Sequence, residues 1–410
     1  MKKVLVGDKM FYLMFYSKKF LIFIINILLY IISIFIPKKN DLIIIGGWFG
    51  KRFADNSKYL YLYNYNMEKP LNMVWITGKK EIYTFLKKRN LPVAYKKSFK
   101  AIWIHFRAKY HIVDQSHRDI IGFLSVRSKR INLWHGVSPK NGISRDMKDT
   151  FYAKIEKALN GYFSVGGWGN FQMLSPSQFS NGILSTLSNG RIINFINYEY
   201  PRAIYLKNKE KYNYINYLED EYCKMLDNLK KSYKLVFYIP TFRDKQNSSI
   251  FGENNEEKLN EFFNDMKKQK VYFVLKMHFA NTNLANFQSS NCLVLPSDID
   301  IYPLLKYSDA LITDYSSIYT DYLLLNRPVL FNPYDYESFD SNDRGFILDY
   351  NEYTPGNKYY SLDSLKEGIL QLKANNWNDN MEKERMKILN IFYDQKYDNV
   401  IKYFEKQVKK

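Results

Sequence analysis

Cysteine is nearly missing from this chain. Cys223 and Cys292 stand far apart with no histidine beside either, so neither a disulfide framework nor a zinc site is supported, and a reducing compartment is the default. Histidine is scarce as well, with five residues in 410. Acidic charge is also short: 41 Asp+Glu against 60 Lys+Arg leave a formal charge of +19. That excess points to an anionic partner, whether nucleic acid, anionic lipid or a phosphate-rich substrate, although an AT-rich coding bias would also scatter lysines over a solvated surface. No Walker loop occurs, no G-x-G-x-x-G follows the first strand, and no internal repeat or low-complexity tract is visible. What is abundant is apolar material. At 46% hydrophobic and 17% aromatic the chain is no disordered polymer, and its length fits two domains and an N-terminal appendage.

That appendage is one uncharged run, Phe20 to Ile36, between Lys18-Lys19 and Pro37-Lys38-Lys39. As a helix of about 17 residues it reaches roughly 25 Å, marginal for a hydrocarbon core of about 30 Å. Asn26, Tyr30 and Ser33 share one helix face. The spacing therefore predicts a helix lying in the interface, held to the anionic cytoplasmic leaflet by lysines at both ends. A spanning helix is the next alternative. A signal peptide is disfavoured, since no small-residue cleavage pattern follows.

After Asn40 short apolar runs alternate with helical stretches, as parallel βαβ units require. Strands are expected in Asp41–Gly47, Asn72–Gly78, Ala108–Gln115 and Arg130–Gly136, then in Lys234–Thr241, Val271–His278, Asn291–Pro296, Ala310–Ser317 and Arg327–Pro333. Two doubly wound α/β halves follow, with the join between Tyr200 and Asn228 and domains at 1–40, 41–205 and 206–410. Ligands of such sheets sit beyond the carboxyl ends of strands, so chemistry is sought there.

His135 follows the strand Ile131–Leu133 and precedes Gly136; it suits a general base toward a hydroxyl, or equally a histidine bonded at a domain seam. Lys276 and His278 share one side of a strand end and offer a cation and a donor to phosphate oxygens. Asp314, Ser316 and Ser317 open a helix start that serves as an anion site, as simple capping, or as both. Asp321 lies one turn further and suits polyol or ribose hydroxyls. Pro240, Thr241 and Arg243 end another strand, and Arg202 follows Tyr200-Pro201 near the join. His105, His111 and His117 show no metal-ligand spacing, and Asp298-Ile299-Asp300 reads as a helix cap rather than a metal pair.

Taken in order, LWHG (Leu133–Gly136), YPR (Tyr200–Arg202), PTFRD (Pro240–Asp244), LKMH (Leu275–His278) and the TDYSS block with its flanks (Asp300–Phe331) resemble the CDP-glycerol glycerophosphotransferase family of teichoic-acid primases, polymerases and capsule relatives. Arg344–Phe346 and Pro355-Gly356 extend the likeness, which covers roughly Asp41 to Met381. The resemblance implies a GT-B arrangement, two Rossmann-like domains facing across a cleft, with the nucleotide mainly on the second. It further implies a lipid-linked acceptor at the membrane. Trp134, Gly136, Val137, Ser138, Arg202, Pro240, Thr241, Arg243, Lys276, Met277, Asp314, Ser316, Ser317 and Asp321 would then bind the donor, with His135 and His278 catalytic. The expected reaction is attack of an acceptor hydroxyl on the β-phosphorus of a CDP-activated polyol, with CMP leaving and no metal or other cofactor required. Departures fall at Phe279, where a proline commonly follows the histidine, and at Val137–Lys140, near where the acceptor enters. The alternatives are a CDP-ribitol donor, a nucleotide-sugar glycosyltransferase of the same architecture and, remotely, a membrane-tethered nucleic-acid-binding protein. Nothing in the chain resembles a nucleic-acid module, and no nucleic-acid partner is expected.

Overall fold

In the computed structural model the described residues are 25, 28–29, 31–141, 171–186, 194–207, 215–241, 249–276, 289–394 and 396–408. Twelve strands, β1 to β12, form two wholly parallel sheets among them. The first holds β1 (Lys39–Ile45), β2 (Met73–Thr77), β3 (Val93–Tyr95), β4 (Ala108–Val113), β5 (Lys129–Asn132), β6 (Phe171–Ser175) and β7 (Asn194–Asn197), in the order β3-β2-β1-β4-β5-β6-β7. The second holds β8 (Lys234–Tyr238), β9 (Val271–Leu275), β10 (Cys292–Val294), β11 (Ala310–Thr313) and β12 (Val329–Phe331), in the order β10-β9-β8-β11-β12.

The apolar runs are continuous because both faces of each sheet are covered. Alternate residues of β1 separate cleanly: Ile43 and Ile45 enter one buried cluster, Leu42 and Ile44 another. In β8 the same split puts Leu235 and Phe237 on the inner side and Val236 and Tyr238 on the outer. Ile43, Ile45, Leu235 and Phe237 belong to a single cluster, so the two halves share one apolar interior.

Each expected strand is present, most of them shorter at the carboxyl end than the apolar run, because the chain turns away at the polar residue. β3, β6 and β7 are strands for which the sequence carries too few apolar residues to stand out. The helix expected to start after Ser317 is a five-residue helix, Ile318–Tyr322, followed by a 3-10 turn, and Asn326 stops it in the left-handed region at φ 49°. The chain end returns to the first sheet. The Tyr110 hydroxyl donates to the Gln407 carbonyl at 3.2 Å, and the Tyr403 hydroxyl to Gln172 Oε1 at 2.9 Å. Thus part of 206–410 packs with the first sheet.

Among the described residues no helix is long and apolar enough to cross a membrane. Of the run Phe20–Ile36, positions 20–24, 26, 27 and 30 lie outside the described residues. Ser33 is buried, with its carbonyl accepting from Arg127 Nη1 at 2.5 Å, while Leu29 and Ile36 pack on the core.

Between the sheets runs the helix Asp55–Tyr65, buried on nearly every side. Lys58, fully buried, pairs with Asp300 at 2.8 Å and Glu219 at 3.4 Å, and the Tyr59 hydroxyl adds a 2.7 Å bond to Asp300. Asp300 also accepts from the Tyr302 N–H at 3.3 Å, one residue before the helix N-cap Ile301, so it is not the cap read from sequence. Replacing Lys58 by Met would leave two buried carboxylates facing each other without a cation. A stability loss of about 3–5 kcal/mol is expected, read as a lowered urea midpoint.

Candidate active site

In an open parallel sheet the ligand crevice lies where neighbouring strands send their connections in opposite directions. In the second sheet that point falls between β8 and β11. The residues leaving these strands are Pro240-Thr241 and Asp314–Ser317, both singled out from the sequence. The buried Asp314 carboxylate accepts from the Thr241 N–H at 2.7 Å and the Tyr315 N–H at 2.5 Å, fastening the two strand ends together. Asp314 thus builds the crevice wall. Ser316 and Ser317 remain half-buried on the turn above it.

In the first sheet β5 leads into Leu133, Trp134, His135 and Gly136. Buried Asn56 donates to the carbonyls of Leu133 (3.3 Å) and Trp134 (2.8 Å), and its Oδ1 accepts from the Arg202 N–H at 3.2 Å. This holds Trp134 in the left-handed region at φ 56°, a strained state for a non-glycine residue. The turn presents the His135 ring, 3.9 Å from the Trp134 ring centroid. His135 Nδ1 lies 3.2 Å from the Asp114 carbonyl. Because a carbonyl only accepts, the proton sits on Nδ1 and the Nε2 lone pair is left as a proton acceptor. Burial pushes the imidazole down to about 4, opposed by Asp55 and the Asp114 carbonyl, so it is neutral at physiological pH.

The turn after β5 meets the second sheet's crevice at Gly136. A Cβ there would come within 2.7 Å of Ser317 Oγ and 3.0 Å of Arg202 Nη2, and φ is +126°. Only glycine permits this approach. The Thr320 hydroxyl donates to the Val137 carbonyl at 2.9 Å, and the buried segment Val137-Ser138 continues to Pro139–Asn141, which pairs with Gly345–Ile347. The RGF segment therefore braces the loop after the histidine.

Arg202 and Asp321 are placed differently from the open ligand contacts expected of them. Arg202 is 1% exposed, with Nη1 2.6 Å from Asp55 and Nη2 2.8 Å from Asp321. Asp321 also accepts from the hydroxyls of Tyr302, at 2.7 Å, and Tyr393. Burial opposes the Arg202 charge, and Asp321, Tyr302 and Asp55 outweigh it. The sequence placed Arg202 near the join and Asp321 one turn past the helix start, but could not show that the two form an ion pair. Lys276 is half-buried, with Nζ bonded to the Ser297 carbonyl at 3.0 Å; burial, then Arg52, lowers it to about 8. Arg243, Met277 and His278 lie outside the described residues. His105 and His111 are fully buried and bonded to backbone and to Ser125, as structural histidines are. Among the described residues no group of three or more His, Cys, Asp or Glu side chains is placed to hold a metal ion.

Sequence reasoning missed the loop after β1, where Trp48 and Arg52 stand. Its signal was a Gly-Gly pair ending the first strand, followed by aromatic and basic residues.

Gly136→Ala is expected to cost about 1–3 kcal/mol from the positive φ, in addition to the clash with Ser317. A second change, Ser317→Gly, would relieve only the clash with Ser317; urea midpoints of the single and double variants separate that part from the rest.

Comparison with known proteins identifies the family. A teichoic acid glycerol-phosphate transferase of Staphylococcus aureus is 27% identical over 345 residues, covering 81% of this chain and 85% of that protein. A teichoic acid poly(glycerol phosphate) polymerase of Bacillus spizizenii is 26% identical over 377 residues, covering 88% and 89%. A solved structure of the wall teichoic acid polymerase TagF superposes with a TM-score of 0.68 at 20% identity, over 91% of this chain and 90% of that one, and so shares its fold. The family model for CDP-glycerol:poly(glycerophosphate) glycerophosphotransferases matches residues 28–402, and the chain belongs to that family.

Proposed function

We propose that this chain moves glycerol phosphate from CDP-glycerol to a terminal hydroxyl of a lipid-linked acceptor or growing teichoic-acid chain, releasing CMP. The observation that carries the reading is the contact of Gly136 with Ser317, which brings the His135 turn of the first sheet against the Ser316-Ser317 turn of the second. A base and a donor-phosphate turn from different sheets are thereby held side by side.

In this scheme the acceptor O–H gives its proton to His135 Nε2 as its oxygen attacks the β-phosphorus. The bond from that phosphorus to the bridging oxygen breaks, and CMP leaves with the electron pair. Lys276 and the hydroxyls of Ser316 and Ser317 face the charge that accumulates on the phosphates, and the scheme calls for no resident metal. His278, Met277 and Arg243 join this donor set through the family likeness. Arg202 and Asp321 act at one remove, by fixing the distance between the two turns.

His135→Ala is expected to cut CMP release from CDP-glycerol by about 10²–10⁴-fold while the variant still binds donor. Near-normal turnover by the folded variant would remove His135 from the base role. A panel of CDP-glycerol, CDP-ribitol and UDP-sugars tests donor class, since UDP release would favour a glycosyltransferase. The pH profile of kcat/KM should fall on the acid side as His135 gains a proton near about 4, because only the neutral ring accepts. It should fall on the alkaline side as Lys276 loses its charge near about 8, and Lys276→Arg should remove that second limb.

We also propose that one face of the first domain rests on an anionic membrane. Phe99 is 91% and Trp103 54% exposed on the helix Phe99–Arg107, with Ile102 partly exposed beside them; Ile104 of this helix packs on the same core cluster as Leu29 and Ile36. Exposed Ile31, Ile32, Ile34 and Phe35 extend the apolar surface, and Lys97, Lys100 and Arg107 adjoin it. Phe99→Ser with Trp103→Ser should weaken sedimentation with phosphatidylglycerol vesicles by about ten-fold or more, given the apolar burial lost. Unchanged binding would discard this face.

A further inference from the structure

The first sheet has a ligand crevice of its own, and the donor reading does not use it. In the order β3-β2-β1-β4-β5 the connections diverge at β1 and β4, so the crevice lies between the loop after Ile45 and the turn after Val113. Both sides are tightly built. Gly46 and Gly47 let the backbone pass where a Cβ would stand 2.8 Å from the Asp119 carbonyl oxygen and 2.6 Å from Asp114 Oδ2. The Trp48 N–H donates to Asp114 Oδ1 at 3.1 Å and the Phe49 N–H to Asp119 Oδ1 at 2.7 Å. Two buried carboxylates thus hold Trp48 and Phe49 in the left-handed region, at φ 46° and 59°. Strain of this kind, held by so many bonds, marks a place where side-chain direction matters.

That direction is toward His135. The Trp48 ring lies 6.5 Å from the imidazole, its Nε1 donates to Asp55 at 3.3 Å, and the Arg52 guanidinium stands over its face at 4.4 Å. A stacked guanidinium keeps its planar fork in one orientation and loses little freedom when it pairs with a phosphate. Partial burial lowers the Arg52 guanidinium from its usual value, opposed by Asp298, Asp55 and Asp300. Arg52 also belongs to the field that lowers Lys276, after burial. The imidazole and the guanidinium thus both stand beside the Trp48 ring, which brings a proton acceptor, a flat apolar surface and a cation together. A polyol-phosphate chain end carries the matching groups: hydroxyl, carbon skeleton and phosphodiester.

We propose that Trp48 and Arg52 form the acceptor subsite: the last phosphodiester of a polyol-phosphate chain pairs with Arg52, its terminal polyol lies along Trp48, and the hydroxyl reaches His135 Nε2. This rests on the phosphotransfer reading above and makes the acceptor an anionic chain end rather than a neutral glycan.

Binding calorimetry with the full chain and no donor tests it, so the result stands whether or not CDP-glycerol is turned over. Two probes suffice, an alkyl-linked glycerophosphoglycerol and the alkyl-linked glycerol that lacks the phosphodiester. The wild type should bind the first about ten-fold or more tightly than the second, as a charge-assisted pair implies. Arg52→Ala should erase that difference and leave CDP-glycerol affinity unchanged, Arg52→Lys should restore part of it, and Trp48→Leu should weaken both probes alike. A preference that survives Arg52→Ala and Arg52→Lys undiminished, or no preference in the wild type, overturns the subsite. Loss of donor affinity in Arg52→Ala with acceptor binding intact would assign Arg52 to the donor instead. Failure of the wild type to release CMP from CDP-glycerol is a separate result, and it would bring down the phosphotransfer reading itself.

Discussion

The arrangement turns on one buried cation. Arg202 comes from the short helix Pro201–Lys207, Asp55 from the central helix and Asp321 from the second sheet's crevice, so three parts of the chain converge on one guanidinium. Taking those charges from water is costly, and the cost is recovered only while all three are in register. The Lys58 cluster repeats the device three residues along the same helix, tying in Glu219 and Asp300. Two-domain enzymes that bind across a cleft are commonly free to hinge. Here hinging at this edge would separate paired buried charges, which favours motion in the surrounding loops over opening of the seam.

This constraint also explains the division of labour in the site. Groups that would touch substrate, such as Ser316, Ser317, His135 and Lys276, remain partly open. Groups that set their spacing are fully buried and paired: Asn56 for the His135 turn, Asp314 for the β8 and β11 ends, Arg202 between them. Catalysis by alignment of in-line groups asks for such a frame, since small displacements are costly in rate. The neutral, Nδ1-protonated His135 is a product of that frame too. Its tautomer is chosen by the Asp114 carbonyl, a backbone atom that no side-chain substitution removes.

Much of the fold was legible because parallel strands buried on both faces read as unbroken apolar runs, and the donor crevice because its loops carry unusual polar residues directly after such runs. What stayed hidden was pairing over distance. Nothing near Lys58 in sequence announces Asp300, 242 positions away, and the stretch DNSKYLYLYNY has no apolar stripe to betray a helix buried on nearly every side. Arg202 and Asp321 were read as ligand contacts because a sequence reveals charge but not whether the charge is already matched. The loop after β1 escaped because Gly46-Gly47 looked like an ordinary strand ending, and its strain arises from Asp114 and Asp119, which lie on another strand's exit.

The return of the chain end to the first sheet has a bearing on how the protein is made. Tyr110 of β4 packs against Phe404, and Glu199 beside β7 bonds to Asp398, so the first domain is completed by a stretch translated after the second sheet. Until then, the first sheet's apolar flank stands uncovered throughout synthesis of the second domain, a period in which partly built domains are prone to associate wrongly. Loss of the helix Ile401–Val408 would thus injure the half of the molecule that was translated first.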